Sequence, residues 1–94
     1  MTTKVKQLAN NQFIITDDNK NQYFQSCDSI IAKIPEVIDS SGNRYSLSKI
    51  ILDKKYWNYS KTTRKYRNQF LGEKTKETQA KIDSGEYILT DLNQ

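Results

Sequence analysis

The segment Asp53 to Gly72, DKKYWNYSKTTRKYRNQFLG, constrains this chain more than any other stretch. Lys54, Lys55, Lys61, Arg64, Lys65 and Arg67 all lie in it, with no acid between Lys54 and Gly72. The whole chain holds 15 Lys and Arg against 11 Asp and Glu, so outside these six bases acids slightly outnumber bases. The formal net charge of +4 is therefore a local property. Aromatic residues are interleaved with the bases at Tyr56, Trp57, Tyr59, Tyr66 and Phe70. Rings in such company serve equally for stacking on nucleic-acid bases and for anchoring a small core, and composition leaves both open.

Turned by the helical angle, the second part of the segment sorts into two faces and predicts a helix from Ser60 to Leu71. Thr63, Tyr66 and Phe70 share one face, continued backward by Tyr59. Lys61, Arg64, Lys65 and Asn68, at i, i+3, i+4 and i+7, share the other, giving an amphipathic helix with a cationic outside. Ser60 suits the N-cap, where its hydroxyl takes an unpaired backbone N–H, and Gly72 suits the left-handed residue that closes a helix. Arg67 falls on the boundary, in position to pair with an acid or to reach a ligand. On this phase Phe70 is buried, and its replacement by alanine is expected to cost about 3 to 5 kcal/mol.

Ninety-four residues make one domain, 1–94, that buries roughly 60 to 65 per cent of its unfolded surface around one modest core. An enzyme with a cleft between two domains is excluded. Hydrophobic residues are only 35% of the chain, but ten aromatics and many isoleucines spread along it argue for a folded domain over a disordered one. No apolar run approaches the roughly 20 residues of a membrane span, and MTTKVKQLANN lacks a signal peptide's apolar segment, so a cytoplasmic protein is expected. Cys27 is the single cysteine, which rules out an intramolecular disulfide and suits a reducing compartment.

Read in order, Lys4 to Leu8 forms a short edge strand with Val5 as its buried residue, and Asn10-Asn11 a turn. Gln12 to Thr16 has the β-branched and aromatic content of a strand, and Asp17 to Asn21 is dense in turn-formers, so that Tyr23-Phe24-Gln25 completes a hairpin. Ser29 to Ile34 is too short for periodicity to decide between strand and helix; its isoleucines and Pro35 favour strand. Val37-Ile38, a turn over 39–43, and Arg44 to Leu52 make a second hairpin, with Tyr45 and Leu47 alternating before Ile50-Ile51-Leu52. Thr75 to Ser84 reads as a helix closed by Gly85 and supported by an i, i+4 pair between Glu77 and Lys81. Glu86 to Leu92 reads as a last strand. The fold class is α+β: a small antiparallel sheet, made of two hairpins plus a C-terminal strand, with two short helices toward the C-terminus on one face.

The chemistry available is narrow. With no histidine, the usual neutral-pH general base and the commonest metal ligand are both missing. Cys27 has no histidine partner to lower its pKa and reads as a small half-buried residue in or beside a strand. Asp17, Asn19, Asn21 and Asp28 fall at positions 1, 3, 5 and 12 of a calcium-loop template. Gln22 stands where the sharp turn needs glycine and strands flank the loop, so a polar hairpin turn is the better reading. No catalytic residue, metal site or cofactor is expected, and no enzyme.

Tyr56 and Trp57, then Tyr59, Ser60, Thr62 and Thr63, then Tyr66, Arg67, Phe70 and Leu71, together with the upstream YFQSCDSIIAKI, carry a resemblance. In this pattern, YW-x-YS-x-TT-x-x-YR-x-x-FL, the chain resembles a family of small uncharacterised proteins of bacteriophages and other bacterial mobile elements. The resemblance covers about two thirds of the chain. It implies an accessory factor in the cytoplasm of a bacterial host cell, a class that includes inhibitors of host defence such as anti-CRISPR proteins.

Two functions remain in view. In the first, Lys54, Lys55, Lys61, Arg64, Lys65 and Arg67 neutralise phosphates of nucleic acid or of a nucleoprotein complex, while Tyr56 or Tyr59 stacks on a base or packs on sugar. Trp57, Tyr66 and Phe70 are assigned to the core. In the second, the same face docks on an acidic patch of a host protein, such as a CRISPR effector, or a sheet edge adds to a partner's sheet. A solvated helix face with no partner is the plain alternative to both.

Overall fold

The computed structural model describes residues 3–35, 37–38, 44–45 and 49–93. Four strands come first: β1 (Lys4–Ala9), β2 (Gln12–Thr16), β3 (Gln22–Ser26) and β4 (Ser29–Ile34). Each pairs antiparallel with the next. The two-residue turns Asn10-Asn11 and Cys27-Asp28 close the first and third hairpins, with Asn11 (φ 61°) and Cys27 (φ 55°) in the left-handed region that tight turns demand. Cys27 is exposed at this turn rather than half-buried beside a strand. The middle loop is organised by Asp17, whose carboxylate accepts from the N–H groups of Asn19 and Asn21, the Asn21 amide and the Tyr23 hydroxyl.

Two short strands, β5 (Val37–Ile38) and β6 (Arg44–Tyr45), pair antiparallel in a sheet of their own. The expected second hairpin therefore begins as read, but it does not extend to Leu52. Instead β7 (Ile51–Asp53) joins β4 in the main sheet. The turn over 39–43 and Leu47 lie outside the described residues. Helices α1 (Lys61–Leu71) and α2 (Thr75–Asp83) follow, and β8 (Ile88–Thr90) completes a six-stranded sheet in the order β1-β2-β3-β4-β7-β8. The fold is α+β as the sequence predicts, with a further correction: β8 runs parallel to β7, because the chain returns through both helices before it re-enters the sheet.

Register sorts the sheet's two faces. Ile14, Phe24, Ala32, Leu52 and Leu89 are cross-strand partners in one row. Phe24, Ala32 and Leu52 of that row are fully buried, and with Ile31 and Tyr87 they form the core. Ile31 joins through an irregularity in the β3–β4 register, where Phe24 opposes Ala32 but Gln25 opposes Ile30. Helix α1 covers this face, its Phe70 ring stacked on Phe24 at 5.9 Å and its Thr63 hydroxyl 3.0 Å from Ser26 Oγ. Phe70 is only half-buried, so its alanine variant loses less than a fully buried ring would.

Val5 is not a core residue. It lies in the opposite row, Val5, Ile15, Tyr23, Lys33, Ile51 and Ile88, and is 62% exposed. Strand alternation gives the core side of β1 to Lys4, Lys6 and Leu8, and of these Leu8 packs against the core. No helix among the described residues is long and apolar enough to cross a membrane.

Candidate nucleic-acid interface

Three buried polar hubs fix the basic segment in place. The first is Asp53, at the end of β7 and 1% exposed. One carboxylate oxygen accepts from the N–H groups of Lys55 and Tyr56, at 3.0 and 2.8 Å. The other accepts from Leu92 N–H and the Asn93 amide, at 2.8 and 3.0 Å. Asn93 also donates to the Ile30 carbonyl and accepts from Ile30 N–H, tying the C-terminal segment to β4. Burial alone pushes the Asp53 carboxyl upward, but these four donors outweigh it and hold its pKa below the ordinary value. The carboxylate thus winds the chain into a tight turn at the end of the strand, with Lys54 and Lys55 thrown outward.

The second hub is the start of α1. Ser60 is extended and its hydroxyl oxygen accepts from Thr63 N–H at 3.1 Å, as the sequence predicts for an N-cap. Gly72, with φ 70°, ends the helix in the left-handed conformation and its N–H reaches the Asn68 carbonyl. Thr63 is 1% exposed between Ser26 and Ser60, so β3, the cap and the helix are joined through one hydroxyl. With Thr63 and Phe70 turned to the sheet, Lys61 and Lys65 are exposed and Arg64 and Asn68 half-exposed.

The third hub is Arg67, which corrects the sequence reading. It is fully buried and belongs to the scaffold rather than to a binding surface. Its guanidinium donates to the Trp57 carbonyl, to Asn58 Oδ1, to Asn68 Oδ1 at 2.8 Å and to Thr75 Oγ1 at 2.7 Å, and it lies 5.1 Å from the Trp57 ring centroid. Every acceptor is neutral, and burial together with the Arg64 charge brings its pKa down to about 10. A planar fork with five donors is what allows one side chain to hold the turn before α1, the helix itself and the first residue of α2.

Glu73 completes the frame between the helices. It accepts from Lys81 Nζ at 2.7 Å, the Thr78 hydroxyl at 2.6 Å and the Tyr87 hydroxyl at 2.9 Å. Burial works against the charged form here too, and these donors, with the Lys81 charge, hold its pKa below the ordinary carboxylate value. Lys81 therefore pairs with Glu73 and not with Glu77, which instead accepts from Lys74 N–H at the start of α2. Asp53, Glu73 and Asn93 escape a reading by residue type, because their partners lie up to 63 residues away in the chain.

Once Arg67 is set aside, the remaining expected site residues lie along one run of chain. Lys54 and Lys55 sit in the turn, Tyr59 before the cap, and Lys61, Arg64 and Lys65 along the helix. Lys55 Nζ lies 5.4 Å from the Tyr56 ring centroid and Lys65 Nζ 5.3 Å from that of Tyr66. The two candidate rings differ. Tyr56 is half-buried and packs against the core, as do Trp57, Tyr66 and Phe70, whereas Tyr59 is 51% exposed and meets Tyr56 edge to face at 5.4 Å.

The alternative chemistries gain no geometry. Asp17 and Asp28 of the calcium template belong to turns at opposite ends of β3, and the Asp17 oxygens are already engaged in their own turn. Among the described residues no group of three or more His, Cys, Asp or Glu is placed to hold a metal ion.

No curated protein and no solved structure matches the chain. A family model matches residues 1–86, a span that contains every base and ring of the candidate interface, and the chain accordingly belongs to DUF8033, a family of unknown function.

Proposed function

We propose that this chain is a non-enzymatic accessory protein of a bacteriophage or other mobile element, acting in the host cytoplasm, that binds nucleic acid or a nucleoprotein complex through its basic helix face. One observation carries the reading. Lys54, Lys55, Lys61, Arg64 and Lys65 all reach solvent from a rigidly capped segment, and none of them pairs with a carboxylate among the described residues. Five uncompensated charges on a fixed frame neutralise phosphates and release counterions with little further ordering. Helix α1 also begins with Lys61 and Arg64 and has no acid in its first turn, against the preference of the helix dipole. A phosphate at this end offsets both the dipole and the clustered cations. The lack of histidine in the sequence supports the non-enzymatic part of the reading.

A second reading, an inhibitor that docks on a host protein, is favoured by the sheet. Val5 at one edge strand and Ile88 at the other are exposed ends of the row that faces away from α1, and among the described residues neither β1 nor β8 has a strand paired on its outer edge, which suits strand addition.

Titrating labelled single- and double-stranded DNA and RNA at low and physiological salt separates the two. The basic-face reading predicts binding at low salt that the combined substitution of Lys61, Arg64 and Lys65 by glutamine abolishes at physiological salt, with the fold unchanged. Absence of binding to every nucleic acid at low salt, with tight binding to a host protein or guide-loaded effector, gives first place to the inhibitor.

A further inference from the structure

The exposed ring of Tyr59 decides which form of nucleic acid this face suits, and we infer that it takes a single strand, stacking an unpaired base on Tyr59 while the flanking bases hold successive phosphates. This rests on the basic-face reading above and deepens it.

Of the five aromatic residues in the segment, four pack against the core and one does not. Tyr59 leaves half its surface in water, and its hydroxyl has no hydrogen-bond partner among the described residues, so neither burial nor a polar contact explains the ring. Yet the ring is not loose. It is propped edge to face on Tyr56, whose own ring is fixed by the core and faced by Lys55. The next residue is the helix cap, itself hydrogen-bonded to Thr63. An aromatic ring held at a fixed angle, with half its surface exposed, is a platform for any base that has an unpaired face.

The charges around it follow a single backbone. Lys54 and Lys55 precede the ring in the turn, and Lys61, Arg64 and Lys65 follow it on the helix, so cations flank the platform on both sides in chain order. From Lys61 to Lys65 the helix rises only about 6 Å, a span suited to neighbouring phosphates of one strand rather than to the two walls of a major groove about 12 Å wide. In a duplex the bases are stacked on one another, and using the platform would first require the stack to be opened at a cost of a few kcal/mol. Stacking makes no demand on base identity, so weak sequence preference follows.

The test compares a mixed-sequence 15-nucleotide single strand, as DNA and as RNA, with the duplex of the same sequence, each against wild type, Tyr59→Ala and Tyr59→Phe. The expected result is tighter binding of the single strand. Tyr59→Ala weakens it about 5- to 150-fold, the range for loss of one stacked base, and Tyr59→Phe, which keeps the ring, restores it. Circular dichroism of the variants confirms that the fold is retained. Duplex bound as tightly as the single strand, or a Tyr59→Ala affinity equal to wild type, overturns the single-strand assignment and leaves the basic face standing. Failure to bind either form at low salt overturns both.

Discussion

Helix α1 carries four bases, and its two sides treat them in opposite ways. Arg67 is sealed from water, and its two terminal nitrogens donate to neutral acceptors on three different elements, so its charge works as a brace. Lys61 and Lys65 stand in solvent and Arg64 is half-buried, and none of the three pairs with a carboxylate among the described residues. The same residue class therefore holds the fold together on one side and leaves charge uncompensated on the other. A count of positive charge conflates the two, and only the acceptors separate them.

Substituting Arg67 should give the largest effect. Arg67→Lys keeps the charge but cannot reach the Trp57 carbonyl, Asn68 and Thr75 at once. A loss of about 3 kcal/mol or more is expected in chemical denaturation, because buried acceptors are left unpaired and a buried charge loses its partners. A lysine variant as stable as wild type would show that the guanidinium fork is not what braces the helix. Phe70→Ala comes next, at roughly 1.5 to 3 kcal/mol, below the full range for a sealed ring because Phe70 is only half-buried. Equal losses at Phe70 and at the fully buried Phe24 would place α1 deeper on the sheet than it lies here.

Acid sharpens the comparison from the carboxylate side. Asp53 and Glu73 both titrate in the folded protein below their ordinary values of 3.8 and 4.5. Their contribution is fully present above those values and is lost as pH falls through the lower, folded pKa values. The melting temperature should therefore hold from neutral pH to about pH 4.5 and fall steeply below it. Asp53→Asn or Glu73→Gln should be less stable at pH 7 and show a shallower acid limb. An unchanged acid limb in both variants would mean that neither carboxylate is held in its charged form by the fold. The smallest effect on stability belongs to the exposed side: Lys61, Arg64 and Lys65 replaced together by glutamine should each cost no more than about 0.5 kcal/mol.

The strands and caps are legible in the sequence because the forces that set them are local. Gln12–Thr16 and Ser29–Ile34 stand where isoleucine-rich runs meet turn residues, and Ser60 and Gly72 bound α1 through their own hydroxyl and backbone freedom. Val5 follows strand phase rather than hydrophobicity: alternation puts it opposite Leu8, on the side that faces away from α1. The parallel pairing of β7 with β8 and the clamp from Asp53 to Asn93 join residues 37 to 40 positions apart, beyond any local signal. Arg67 is a different kind of miss. It lies four residues after Thr63 and three before Phe70, at the boundary of the face turned to the sheet, where phase alone does not decide and its residue type argues for solvent.

The salt dependence of binding tests most directly the claim that five bases are left free for phosphates while the sixth holds the fold. With single-stranded DNA, wild-type log affinity against log salt should fall with a slope near −3.5 if all five bases engage, and replacing Lys61, Arg64 and Lys65 by glutamine should flatten it by about 2. A wild-type slope near zero, or one that the triple substitution leaves unchanged, would contradict the account.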